Sequence, residues 1–193
     1  MNNQIVLAST SPYRKELLER LGFEFETVAP CIDESTFQET SPDKLVELLA
    51  EKKARAVKDK YPDALIIGSD QVAVLDNKII GKPGSHEAAV QQLSSASGRE
   101  VIFYTGLCLY NSAEDKARIE TETFTVRFRA LKKSQIENYL RIEQPYNCAG
   151  SFKSEGLGVA LFESMTGNDP ATLIGLPMIR LIRMLEAEGV SII

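Results

Sequence analysis

The chain has 193 residues, 44% of them hydrophobic and 25% charged, with a formal net charge of −5. That apolar fraction supports a sizeable packed core and excludes a disordered chain. The acidic balance, with no basic tail or arginine stripe, excludes a protein that coats nucleic acid; a polyanion would need a local cluster of cations or a metal.

Cys31, Cys108 and Cys148 lie far apart and form no CxxC pair, so they read as buried free thiols in a reducing compartment. The opening MNNQIVLAST lacks the regions of a signal peptide. No apolar run approaches the roughly 18 residues that cross a bilayer. A cytoplasmic protein is expected. The single histidine, His86, argues against a two-histidine metal centre and a histidine-based triad. Any metal would have carboxylate ligands, which favours magnesium or manganese.

In chain order, QIVLAS reads as a short buried strand. PYRKELLERLG reads as a helix with Pro12 first, Leu17, Leu18 and Leu21 on one face, and Gly22 as its stop. FEFETVAP alternates as a strand does, and CIDESTFQETS is a polar loop. SPDKLVELLAEKKARAVKDKYP is an amphipathic helix capped by Ser41, with Pro42 just inside. ALIIGSDQVAVLDNKIIGKPG gives two strands around an Asp76-Asn77 turn. SHEAAVQQLSSASG is a helix ended by Gly98. VIFYTGLCLY and IETETFTVRFRAL are long strands. SQIENYLRIE opens with a capping box from Ser134 to Glu137. A glycine-broken stretch, NCAGSFKSEGLGVALFESMTG, and a last helix in GLPMIRLIRMLEAEG complete the chain. Helices and strands interleave, but some strands follow one another directly. This predicts an α/β fold with a mixed, twisted sheet and flanking helices.

Four places carry chemistry. Ser9, Thr10 and Ser11 precede a helix whose unpaired first amides and positive dipole end, with Arg14 on the first turn, would cradle a phosphate. The competing reading is a Ser11 cap with Arg14 in solvent. The glycines of a Walker loop are absent. Lys53 falls among Val46, Leu49, Ala56 and Val57 on the apolar face of its helix. It needs an anionic partner there, or must snorkel to the surface. Asp70 lies within or at the end of an apolar strand, where a carboxylate needs a partner. A two-residue Asp76-Asn77 turn would set Asp70 opposite Pro83 and Gln71 opposite Lys82, bringing GSDQ and GKP together; the competing reading is an ion pair closing a sheet edge. Asp33 and Glu34 lie in a polar loop, and one of them beside Asp70 would make a two-carboxylate magnesium site. Cations, acidic groups able to hold a metal, and a carboxylate to orient water together suit a triphosphate substrate.

The chain resembles the Maf family of nucleoside triphosphate pyrophosphatases. The segments LASTSPYRKELL, CIDES, LAEKKARAV, IIGSDQVAVLD, GKP, SGREVIFYTG, YNCAGSFKSEGLG and NDPATLIGLP carry the resemblance in order, over nearly the whole chain. It implies a single Maf-like domain over residues 1–193, two lobes around a cleft in the inosine triphosphatase-like fold, and frequent dimers. It implies metal-dependent hydrolysis of a nucleoside triphosphate to the monophosphate and pyrophosphate. It also implies roles: Asp70 as general base; Ser9, Ser11, Arg14, Lys53 and Lys82 on the triphosphate; Glu34 and Asp70 on the metal. Members acting on dTTP and UTP usually carry SPRR and a YGIQG-like segment. Here those places read SPYR, with Tyr13, and SFKSEGLG, with Glu155. With Gln71, this is similar to the branch that hydrolyses 7-methyl-GTP. A carboxylate such as Glu155 suits the cationic 7-methylguanine ring and its N–H edge, and Tyr13 or Phe152 could stack on that ring. The alternatives are a dTTP and UTP pyrophosphatase of the same family, or a nucleotide-binding regulator of septum formation.

Overall fold

The computed structural model describes residues 4–34 and 41–193. The elements are β1 (Gln4–Ala8), α1 (Pro12–Glu19), β2 (Glu26–Val28), α2 (Pro42–Arg55), β3 (Ala64–Leu75), β4 (Lys78–Ile80), α3 (His86–Ala96), β5 (Glu100–Asn111), β6 (Lys116–Phe128), α4 (Lys133–Glu143), β7 (Phe162–Gly167), α5 (Ala171–Ile174) and α6 (Met178–Ala187). The strands run in the order β2-β1-β3-β5-β6-β7, with β4 added to β3. β1 is parallel to β2 and β3, whereas β4 on β3 and β7 on β6 are antiparallel. The expected mixed α/β fold is therefore found. Among the described residues no helix is long and apolar enough to cross a membrane.

The chain forms two compact units. The first comprises Met1–Asp70, Thr105–Glu122 and Gly175–Ile193; the second comprises Gln71–Tyr104 and Thr123–Ile174. The core of the first includes Val6, Ala8, Ala50, Ala54, Ile66 and Tyr110. Its helix α2 can sit close to the sheet because two strand positions lack side chains. A β-carbon on Gly68 of β3 would collide with the Ala50 carbonyl oxygen and lie 2.9 Å from the Ala54 nitrogen. A β-carbon on Gly106 of β5 would collide with the Val46 carbonyl oxygen. Two glycines on neighbouring strands thus make the bed on which α2 lies. The second unit is built around aromatic rings: Phe152 meets Phe103, Phe128 and Phe162 edge-on, at centroid separations of 5.3, 5.7 and 4.9 Å.

Local signals are mostly realised. Pro12 opens α1, and Asp76 and Asn77 both take positive φ, as a type I′ turn requires. Three are corrected. The alternating FEFETVAP pairs only over Glu26–Val28, its neighbour β1 ending at Ala8, opposite Val28. The Ser41 side chain does not cap α2; its hydroxyl donates to the Asp43 carboxylate instead. Helix α4 starts one residue before Ser134, and its box joins the Lys132 N–H to Gln135 Oε1 at 2.9 Å. Glu137, the expected box partner, lies 2.9 Å from His86 Nε2.

The bed of α2 makes the first prediction. Gly68→Ala should push α2 off β3 at a cost of about 3 kcal/mol, at the upper end of ordinary overpacking. Calorimetry should show Tm falling by on the order of 10 °C for a domain of this size; an unchanged Tm would mean that the helix is not seated on this glycine.

Candidate functional site

The parallel register Gln4↔Ala64 to Leu7↔Ile67 sets the exit of β1 beside the middle of β3. The Ser9-Thr10-Ser11 loop leaves β1 at this point, and Arg14 on the helix that follows reaches the Ser69 carbonyl of β3. The carboxyl end of a parallel strand is where ligands of α/β sheets generally bind. Ser11 has extended backbone, and its Oγ accepts the Arg14 N–H at 3.4 Å, so it caps α1. Ser9 Oγ accepts the Ser11 N–H at 3.1 Å. The cap reading is right about Ser11, but Arg14 is not in solvent. Its Nε donates to the Gly175 carbonyl and its Nη1 to the Ser69 carbonyl, both at 2.8 Å. The guanidinium is thus fixed by backbone, with donors remaining on the fork. An open cavity of about 320 Å³ adjoins the loop, lined by Ser9, Thr10, Ser11, Lys15 and the end of β2.

Lys53, in the last turn of α2, is 8% exposed. Its Nζ lies 2.6 Å from Asp70 Oδ1 and 2.7 Å from Glu34 Oε1. It does not snorkel; it is paired. Asp70 is 7% exposed, while the Glu34 side chain is about half in solvent. Burial pushes the Asp70 carboxyl above its ordinary 3.8, and Lys53 and then Arg14 pull the other way. Burial lowers Arg14 from its usual value, and the fields of Asp70 and Glu34 oppose that shift; an arginine stays protonated regardless.

The structure brings together Ser9, Ser11, Arg14, Lys53, Asp70 and Glu34, all in the first unit. Tyr13 is half-buried on α1 of the same unit. The second unit holds the others. Gln71 Nε2 donates to the Thr172 carbonyl at 2.7 Å. Lys82 is exposed just after β4, and Glu155 is exposed in a turn, with the Ser154 hydroxyl donating to its Oε2 at 3.2 Å.

Several expectations are corrected. The β3–β4 ladder ends at Ala73↔Ile80, so the strand pairing does not reach Asp70 and Pro83; the partner of Asp70 is Lys53 of α2. Phe152 is 5% exposed and edge-packed within the aromatic core, so its ring is not free to stack on a base. Of the cysteines only Cys108 is fully buried, its thiol pushed up to about 12 by burial, while Cys31 is exposed. Sequence reasoning also passed over Ser69 and Gly175. The Ser69 hydroxyl faces the carbonyls of Gly106 (2.9 Å) and Gly175 (2.8 Å). Gly175 has φ +107°, and a β-carbon there would lie 3.2 Å from Arg14 Nε. The only signal was that both stand within the segments IIGSDQVAVLD and NDPATLIGLP.

Removing the ammonium should be visible at Asp70. In Lys53→Met the Asp70 carboxyl should titrate higher still, read by carboxyl ¹³C NMR; no upward movement would show that Lys53 is not its main counter-ion. Because the folded chain already holds this proton more tightly than the unfolded one, the Asp70 contribution to stability falls as pH rises from 3.8 through the folded value. The window over which it falls should extend upward in the variant.

Residues 4–188 match the family described as Maf-like protein. The chain is 57% identical to a 7-methyl-GTP pyrophosphatase of Nitrosococcus oceani, over 98% of this chain and 95% of that one. It is 51% identical to a 7-methyl-GTP pyrophosphatase of Aliivibrio fischeri over the full length of both. Among solved structures, the Staphylococcus aureus Ham1 protein covers 96% of this chain and 100% of its own, with a TM-score of 0.53 and 14% identity, a likeness of fold alone. With 185 of its residues, 4 to 188, matched by the family and relatives above half identity along its length, the chain belongs to the Maf family.

Proposed function

We propose that this protein is a nucleoside triphosphate pyrophosphatase that hydrolyses 7-methyl-GTP to 7-methyl-GMP and pyrophosphate. Relatives bearing that name at 51% and 57% identity, aligned over at least 98% of the chain, support the reaction class and the substrate. The observation that carries the chemistry is the buried Lys53 ammonium held between Asp70 and Glu34.

The acceptor roles of Ser9 and Ser11 leave each hydroxyl its own hydrogen to donate to a phosphate oxygen. The positive end of α1 and the remaining Arg14 donors act in the same direction. Lys53 adds a compact positive charge. Asp70 orients the attacking water and accepts its proton. Water attacks the α-phosphorus in line, the bond from that phosphorus to the bridging oxygen breaks, and pyrophosphate leaves with the electron pair. Lys82, Gln71, Tyr13 and Glu155 enter on the sequence resemblance: Lys82 on phosphate, the other three on the base. A free nucleotide as substrate agrees with a cytoplasmic protein, without a nucleic acid or membrane partner.

The residues fit a divalent cation. Lys53 already gathers one oxygen from each of two carboxylates about a single positive charge. Among the described residues no cluster of three His, Cys, Asp or Glu completes a protein cage. Magnesium is commonly held by one or two carboxylates with phosphate oxygens and water as the remaining ligands. Glu34 and Asp70 would hold magnesium or manganese, which would supply charge neutralisation across the phosphates.

Pyrophosphate release should be measured with Mg²⁺ or Mn²⁺ on 7-methyl-GTP, GTP, UTP and dTTP. Selective release from 7-methyl-GTP is expected, reduced about 10²–10⁴-fold in Asp70→Asn. Release from UTP and dTTP instead would move the protein to the other branch, and binding without release would point to the regulator of septum formation. Metal binding supplies a separate test. Lys53→Met removes the charge that competes for the two carboxylates, so Mn²⁺ binding to the nucleotide-free protein, followed by electron paramagnetic resonance, should tighten by roughly an order of magnitude or more. Unchanged binding would remove Glu34 and Asp70 from the metal.

A further inference from the structure

Glu155 is the residue assigned above to the 7-methylguanine base. It is exposed, and the hydrogen bond it accepts from the adjacent Ser154 ties it to nothing outside its own turn. The turn that carries it, residues 153–158, is by contrast firmly held, and the grip comes from the end of α4. The Lys153 N–H donates to the Tyr139 hydroxyl oxygen at 3.0 Å. The Leu157 N–H donates to Glu143 Oε1 at 3.1 Å. Lys153 Nζ donates to the Glu143 carbonyl at 2.8 Å, a cation on one of the last unpaired carbonyls of the helix. Within the turn, the N–H groups of Gly156 and Gly158 both donate to the Lys153 carbonyl, at 3.3 and 3.1 Å.

Two features place this clamp. Tyr139 is 4% exposed, so its ring is set by the core of the second unit. The Glu143 side chain is 18% exposed, and the turn lies hard against it: a β-carbon on Gly156 would come within 2.8 and 2.9 Å of its two carboxylate oxygens. The backbone of Gly156 has φ −118°, so the missing side chain serves close approach to this carboxylate and not a left-handed turn. Lys153 and Leu157 flank Glu155 on either side, and Glu143 bonds to both.

We propose that Glu143 is a positioning residue for base recognition: its carboxylate, through the Leu157 N–H, holds the turn that presents Glu155, and so sets the preference for 7-methyl-GTP over GTP. This rests on the reading that Glu155 meets the base. A charge-assisted hydrogen bond from a donor edge to a carboxylate is strong only at short, directed geometry, so loosening the turn costs selectivity before it costs chemistry.

The test is the ratio of kcat/KM for 7-methyl-GTP over GTP in the wild type, Glu143→Ala, Glu143→Gln, Glu155→Gln and the double variant Glu143→Ala with Glu155→Gln. Glu143→Ala should lower the ratio by about tenfold, the scale of one lost hydrogen bond, with the loss carried by KM for 7-methyl-GTP. Glu143→Gln keeps an acceptor for the Leu157 N–H and should restore most of it. The double variant should be no less selective than Glu155→Gln alone, because both changes remove one interaction. If Glu143→Ala does not fold, Gly156→Ala is read in the same way, since its methyl group would force the turn and the carboxylate apart. A ratio lowered by Glu155→Gln but untouched by Glu143→Ala and Gly156→Ala overturns the proposal and leaves the base reading standing. A fall in kcat for both nucleotides alike marks Glu143 as merely structural and also overturns it. A ratio untouched by Glu155→Gln sinks the base reading, and the proposal with it.

Discussion

The ammonium of Lys53, drawn into the protein and held between Asp70 and Glu34, is the interaction on which the first unit turns. A buried charge is costly, and a paired one only roughly recovers its desolvation. An apolar side chain at this place would serve the core as well or better. The cost is met in geometry: α2 must lie close enough for its last turn to reach β3, and Gly68 and Gly106 permit that approach. Packing, charge and the placement of Asp70 are therefore one feature seen at three levels. The same burial that makes Lys53 expensive raises Asp70 toward the range where a carboxylate accepts protons.

Arg14 extends this logic. Its guanidinium bonds to the carbonyl of Ser69, one residue before Asp70, and to that of Gly175. Three stretches of chain, the start of α1, the middle of β3 and the segment entering α6, are fixed by one side chain. A cation set by backbone needs no reorganisation when an anion arrives, the condition under which electrostatic stabilisation is most effective. Ser69 repeats the tie from the other side through its hydroxyl. The second unit uses different means. Four phenylalanine rings packed edge to face form its centre, and the turn bearing Glu155 is pinned from α4.

The amino-acid sequence by itself determined what depends on neighbours along the chain. Helical spacing placed Lys53 on an apolar face, turn chemistry placed the hairpin at Asp76-Asn77, and serine before proline marked the start of α1. The mixed character of the sheet followed from the order of strand and helix signals, and the ordered motifs indicated the family. These signals are legible because periodicity and capping act over a few residues. At the start of α4 the sequence pointed to Ser134, whereas the folded chain used Lys132 and Gln135.

Only the tertiary structure decided which groups meet. Asp70 has its partner on a helix 17 residues away and not across its own hairpin. Arg14 reaches a carbonyl 161 residues further along. Phe152, an aromatic residue suited by type to stack on a base, is consumed by the core, while Cys31, suited by type to burial, is exposed. No local pattern encodes such outcomes. They follow from the packing of surfaces that come together only when the strands have paired, and the identity of a buried ion's partner is settled by which opposite charge that packing leaves within reach.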